Sequence, residues 1–128
     1  MKFLLDTCTF LWASLEPERL SSTAIAAIQN PENELYLSLV SSWEITMKYS
    51  AKKLILYQEP KTWLPQQRAI HRVEPIALPE EVIYQEPHLP AVHRDPFDRM
   101  LICQAIHSGL TILTPDPYIQ KYPVLTTW

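Results

Sequence analysis

The sequence predicts an α/β domain in which a parallel sheet is covered by helices on both faces, and three observations carry that prediction. Short apolar runs of strand type, KFLL, ELYLSLV and LTILT, alternate with longer stretches of helical periodicity. A β-α-β-α order of this kind is met by parallel strands joined through right-handed crossovers. At 128 residues, 47% of them hydrophobic, the chain is the size of one domain able to bury a core without disulfide or metal staples. A single domain over residues 1–128 is expected.

The elements follow in order. KFLLD reads as a short strand ending at Asp6, TFLWASL as a helical turn or two, and STAIAAIQN as a helix stopped by Pro31. ELYLSLV is a strand and SSWEITMKYSAKKL the helix after it. Prolines 60, 65, 75, 79, 87 and 90 punctuate the middle of the chain, where KTWLPQQRAI and EEVIYQ read as helices with EPIAL as a short strand between them. DPFDRMLICQAIHSG is a helix, LTILT a buried strand, and PVLTTW a final strand after a turn in PDPYIQKY.

Composition removes several classes of function. Gly109 is the only glycine, so the loops that let backbone approach a phosphate in P-loop and dinucleotide folds are missing, and so is the G-x-S-x-G nucleophile elbow. His71, His88, His93 and His107 show neither an H-E-x-x-H helix nor finger spacing, and each is expected to be structural or on the surface. Cys8 and Cys103 are too few for a disulfide framework and are expected to be buried reduced thiols. A net charge of -3 supplies no global basic field, leaving Lys48, Lys52, Lys53, Arg68, Arg72, Arg94 and Arg99 to form local patches. Asp6 cuts short the apolar start, and no run approaches the roughly 18 apolar residues of a membrane span. A cytoplasmic protein with no membrane partner is expected.

The acids carry the functional signal. In a parallel α/β sheet the C-terminal ends of strands and the N-terminal ends of helices share one edge, where ligands bind. Of the four aspartates in the chain, three fall within HRDPFDRMLICQAIHSGLTILTPD, residues 93–116. Asp6 closes the first strand, Glu44 is expected in the first turn of the helix after ELYLSLV, Asp98 lies in the first turn of the DPFDR helix, and Asp116 follows LTILT. Structural roles compete for some of them. Ser41-x-x-Glu44 matches a capping box, and Asp95-Pro96-Phe97-Asp98 reads as N-cap, proline at N1 and acid at N3. Asp6 and Asp116 have no such demand on them beyond a turn or Asx motif. Asp98 shares a helical face with Leu101, Ile102 and Ala105, which turns its carboxylate toward the sheet rather than to solvent. Carboxylates crowded on one edge repel unless protons or cations neutralise them. An all-oxygen set suits magnesium or manganese better than zinc, and such sites commonly hydrolyse phosphodiesters.

Taken together, LLDT at 4–7, SSWEITMK at 41–48, HRDPFDRMLICQA at 93–105 and LTPD at 113–116 resemble the motif set of PIN domains, particularly the VapC-type toxins of bacterial toxin-antitoxin pairs. The resemblance implies a single PIN-like α/β domain with a parallel sheet of about five strands flanked by helices. It implies a magnesium-dependent endoribonuclease, with manganese as a substitute, that forms a homodimer and is held inactive by a cognate antitoxin. Carried over by motif, Asp6, Glu44, Asp98 and Asp116 are the catalytic, metal-holding acids. Thr114 supports them through its hydroxyl, Asp95 stays the helix N-cap, and Thr7 is either a second hydroxyl support or a helix-start residue. Cys8 stands where a histidine or small residue often follows the LLDT acid, and Pro115 stiffens the last turn; neither removes a ligand. Two rivals are weaker. A receiver domain wants a lysine directly after its last core strand, whereas Lys121 falls in a turn. A catalytically idle PIN-like binding module would have lost one of the acids, and none is lost. Of Trp12, Trp43 and Trp63, candidates for stacking on bases, Trp43 stands beside a candidate ligand.

Overall fold

The computed structural model describes residues 1–128. Five parallel strands, β1 (Lys2–Leu5), β2 (Glu34–Ser38), β3 (Val73–Ile76), β4 (Thr111–Leu113) and β5 (Thr126–Thr127), form one sheet in the order β3-β2-β1-β4-β5. Six α-helices flank it: α1 (Thr7–Leu15), α2 (Ser22–Gln29), α3 (Leu39–Ser50), α4 (Pro60–His71), the single turn α5 (Glu80–Ile83) and α6 (Pro96–Ser108). The period-two alternation of strand side chains sorts the core into two layers. Phe3, Leu5, Leu35, Leu37 and Leu113 point to one face, against Phe10 of α1, Ala24 and Ile28 of α2, Ile45 of α3 and Trp63 of α4. Leu4 and Ile112 point to the other, against Leu101, Ile102 and Ala105 of α6. Both faces are buried, as a parallel sheet requires. No helix is long and apolar enough to cross a membrane.

Three elements differ from the sequence reading. Strand β2 stops at Ser38, level with the last residue of β3, and Ser38 caps α3 by accepting the Val40 N–H at 3.1 Å. A serine at a strand end is as good an N-cap as one three residues later, and the sheet decides between them. The Ser41-x-x-Glu44 capping box therefore does not form, and Glu44 lies in the second turn of α3 rather than the first. EEVIYQ yields only the four residues of α5, because Pro79 opens the turn and Pro87 forces a separate 3₁₀ turn over Glu86–His88. In PVLTTW only Thr126 and Thr127 pair with β4. Cys103 is buried as expected; Cys8 is half-buried.

Candidate active site

Asp6, Glu44, Asp98 and Asp116 all line one cavity of about 190 Å³ at the C-terminal edge of the sheet, with Cys8 and Lys48 beside them. Each is delivered by a different element. Asp6 is the first residue beyond β1; its amide donates to the Leu113 carbonyl at 3.2 Å, so the β1–β4 ladder runs up to it. It stands at the N-cap of α1 yet makes no capping bond. Its Oδ2 instead accepts the Thr114 hydroxyl at 2.6 Å and faces the Cys8 thiol at 3.5 Å. Thr114 in turn accepts the Asp116 N–H at 3.0 Å, linking the two acids through one hydroxyl. Asp116 forms an Asx turn, Oδ1 accepting the Tyr118 N–H at 2.8 Å, which leaves Oδ2 for the cavity. Asp95 caps α6 by accepting the Phe97 N–H at 2.9 Å. Thr7 does not reach the acids through its hydroxyl, which donates to Ser41 Oγ at 2.8 Å and ties α1 to α3.

Burial sets the electrostatics. Desolvation raises the Asp98 pKa to about 8, and the charges of Asp6, Asp95, Glu44 and Asp116 push the same way. Asp6 is also raised, by burial first and by Asp116 in addition, against the hydrogen bonds from Thr114 and Cys8. The Cys8 thiol is pushed up by burial and by Asp6, which keeps it protonated and unreactive. Glu44, also buried, gives Oε2 to the Lys48 ammonium at 2.9 Å, while Oε1 has no partner at all. For Lys48 burial acts downward, but the Glu44 hydrogen bond and the surrounding carboxylates raise its pKa on balance. An orphaned buried carboxylate oxygen beside protonation-prone aspartates fits a divalent cation with hard oxygen ligands.

His93 belongs to this group, contrary to its expected structural or surface role. Its Nδ1 accepts the Asp95 N–H at 3.2 Å, so Nε2 carries the ring proton. That Nε2–H lies 2.8 Å from Asp98 Oδ2 and 3.2 Å from Asp116 Oδ2. The ring donates where a cation would draw the same two oxygens, and the three groups lie within 4.8 Å of one another. Nothing in the spacing of His93 marked it; only its place two residues before the α6 cap, in the acid-rich stretch, was a signal. Arg99, expected in a basic patch, is spent on the preceding loop: it donates to the Glu86 and Pro90 carbonyls at 2.9 and 2.8 Å and pairs with the Glu86 carboxylate. The Tyr122 hydroxyl joins Arg99 to the His93 N–H, at 3.2 and 2.7 Å, and so fixes the position of the histidine.

An open parallel sheet with an acidic cavity at its C-terminal edge is one architecture of metal-assisted phosphodiester hydrolases. Residues 3–125 match the PIN domain model, and the chain belongs to the PIN-domain family. It is 31% identical over 120 residues to Ribonuclease VapC22 of Mycobacterium tuberculosis (strain ATCC 25618 / H37Rv), covering 93% of this chain and 90% of that one. The VapC-type resemblance read from the motifs is thereby borne out. Among solved structures, VapBC2 from Rickettsia felis bound to a promoter DNA fragment matches with a TM-score of 0.75 at 15% identity, over 99% of this chain and 98% of that chain. DNA-bound VapBC from Salmonella typhimurium matches with a TM-score of 0.63 at 18% identity, over 99% and 97%. At these identities the structures support the fold.

Proposed function

We propose that the protein is the ribonuclease toxin of a VapBC-type toxin-antitoxin pair, a magnesium-dependent endoribonuclease acting on RNA in the cytoplasm. The observation that carries this reading is the convergence of Asp6, Glu44, Asp98 and Asp116 from four parts of the fold into one small cavity. Within it, Glu44 Oε1 is buried without a partner and Asp6 has no capping duty. The ribonuclease relative supports the activity, and the VapBC structures support the pairing with an antitoxin.

In this reading the four acids hold magnesium, or manganese in its place, and the ion supplies Lewis acidity and a lowered pKa for water at the cleaved phosphate. The chain's own residues do the rest. Thr114 fixes the Asp6 carboxylate and, through the Asp116 amide, the turn that carries the second acid. Lys48 offsets part of the charge of Glu44. The Nε2–H of His93 holds Asp98 and Asp116 together while they are not otherwise engaged. Asp95 serves the helix and thereby the placement of Asp98. The protein acts as a homodimer, and the antitoxin silences it by bringing an arginine or lysine to the acids near Asp98 and Glu44, where a guanidinium pairs with carboxylates at two points.

The test is cleavage of single-stranded RNA with magnesium, with manganese and with chelator, for the wild type and Asp98→Asn. Cleavage that depends on the divalent ion and vanishes in the folded variant is expected. Divalent ions that neither bind nor shift melting would sink the reading.

A further inference from the structure

We propose that the groove between the C-terminal half of α3 and the start of α6 receives the nucleotide next to the scissile phosphate. Lys53 takes its phosphate, and the Trp43–Phe97 aromatic pair takes its base. This rests on the ribonuclease reading and adds a substrate subsite to it.

The groove measures about 310 Å³ and is lined by Met47, Lys48, Lys53, Pro96 and Phe97 among others, a size at the lower end of the roughly 300–1,000 Å³ typical of ligand sites. It is continuous with the acidic cavity, since Glu44, Lys48 and Asp95 line both. A strand whose phosphate lies among the acids therefore meets this groove within one nucleotide. The end of α3 explains why two lysines face it. Lys52 adopts the left-handed conformation (φ 58°), its N–H bonds the Tyr49 carbonyl at 3.1 Å, and the Lys53 N–H bonds the Lys48 carbonyl at 2.9 Å. These are the paired bonds of a Schellman turn, and they fold Lys53 back onto the turn that carries Lys48.

Charge selects the occupant. The two carboxylates on the groove wall are already engaged, Glu44 with Lys48 and Asp95 with the Phe97 N–H. Lys53 has no carboxylate within ion-pair distance, so its ammonium is the free cation of the groove. Phe97 lines the same groove. Trp43 packs edge-on against Phe97, ring centroids 5.1 Å apart at 65°, yet remains 60% exposed. The other tryptophans are covered: Trp63 is buried, and Trp12 lies against Trp128 and under Arg19. A free ammonium in a groove walled by Phe97, with the uncovered Trp43 indole packed on that ring and the acids in the adjoining cavity, matches the phosphate-plus-base pattern of single-stranded nucleic acid.

The test uses a mixed-sequence single-stranded RNA oligonucleotide cleaved in magnesium, with the cut bond mapped. Trp43 and Lys53 are exposed, so Trp43→Ala and Lys53→Ala should melt close to the wild type. Lys53→Ala is expected to raise KM about fivefold at unchanged kcat and to lessen the salt dependence of binding by about one counterion. Trp43→Ala should raise KM about tenfold with the salt dependence intact, and Trp43→Phe should recover most of it. An abasic residue beside the cut should cost the wild type the same factor as Trp43→Ala and cost that variant nothing further. If the wild type cleaves but both variants keep its KM at every salt concentration, the subsite is wrong and the ribonuclease reading stands. If the variants cleave normally but escape antitoxin inhibition, the groove belongs to the protein partner and the proposal falls. A wild type that neither binds nor cleaves RNA overturns both readings.

Discussion

Replacing Asp98 with asparagine removes an acid that burial and four neighbouring carboxylates hold far above the ordinary carboxylate range. Its pKa moves from 3.8 to about 8 on folding. A group whose folded pKa is raised contributes stability that is complete below its unfolded pKa and is lost as pH rises through the folded value. The chelated wild type should therefore lose stability steadily between about pH 4 and pH 8 and level off above. At about 1.4 kcal/mol per pH unit, the displacement sets a ceiling of ~6 kcal/mol on that loss. The side chain keeps 13% of its surface exposed and accepts the His93 Nε2–H, and both effects favour the charged form. The realised loss should be nearer ~1–2 kcal/mol, the range of ordinary point substitutions. Asp98→Asn keeps the shape of the protonated acid and cannot ionise, so its pH slope should be shallower than that of the wild type, with only the contribution of the other raised acid, Asp6, remaining. In chelator at pH 9 it should melt roughly 3–10 °C above the wild type. The gap should close toward pH 4 and narrow when magnesium is added to the wild type. Calorimetric or circular-dichroism melts across this pH series decide the matter. A variant that melts below the wild type at pH 9 in chelator, or a wild type with no slope, would refute the electrostatic account of the cavity.

Three further outcomes are expected. Asp95→Ser should keep the α6 cap, most of the stability and most of the cleavage, while Asp95→Ala should cost about 1 kcal/mol in thermal unfolding; a folded Asp95→Ser without cleavage would move Asp95 into the catalytic set. End-group analysis of the RNA products should find 5′-phosphate and 3′-hydroxyl termini, and a 2′-deoxy substitution at the cut should be tolerated at least in part, whereas 2′,3′-cyclic phosphate would point to acid-base chemistry at histidine. Alanine substitution of the antitoxin's basic residues should release cleavage in an inhibition titration, and full inhibition after all are replaced would exclude a cation in the acidic cavity.

The fold and the four acids were legible because short-range rules govern them. KFLL and TIL are buried strands by hydrophobic pattern, and Asp95-Pro96 opens α6 as its residue types dictate. The start of α3 was misplaced because Ser38 and Ser41 are equal candidates locally, and only the register of β2 with β3 separates them. His93 was missed for a similar reason. Its role depends on a loop held by Arg99 and Tyr122, through contacts that join residues 23 and 29 positions apart and leave no periodic trace. Glu44 and Lys48 stand four residues apart in the expected helix, so their pairing was open to the same short-range rules, although Lys48 was read only as part of a basic patch.

The bond from Thr114 to Asp6 spans 108 residues, and β1 at the centre of the sheet pairs with β4 from the far end of the chain. No fragment holding only the early strands contains the complete acid set. Contacts this distant in sequence close late in folding, because loop entropy must be met before they form. A half-folded chain therefore lacks the assembled acidic cavity, and a nick or local opening at β4 separates Asp116 and Thr114 from Asp6.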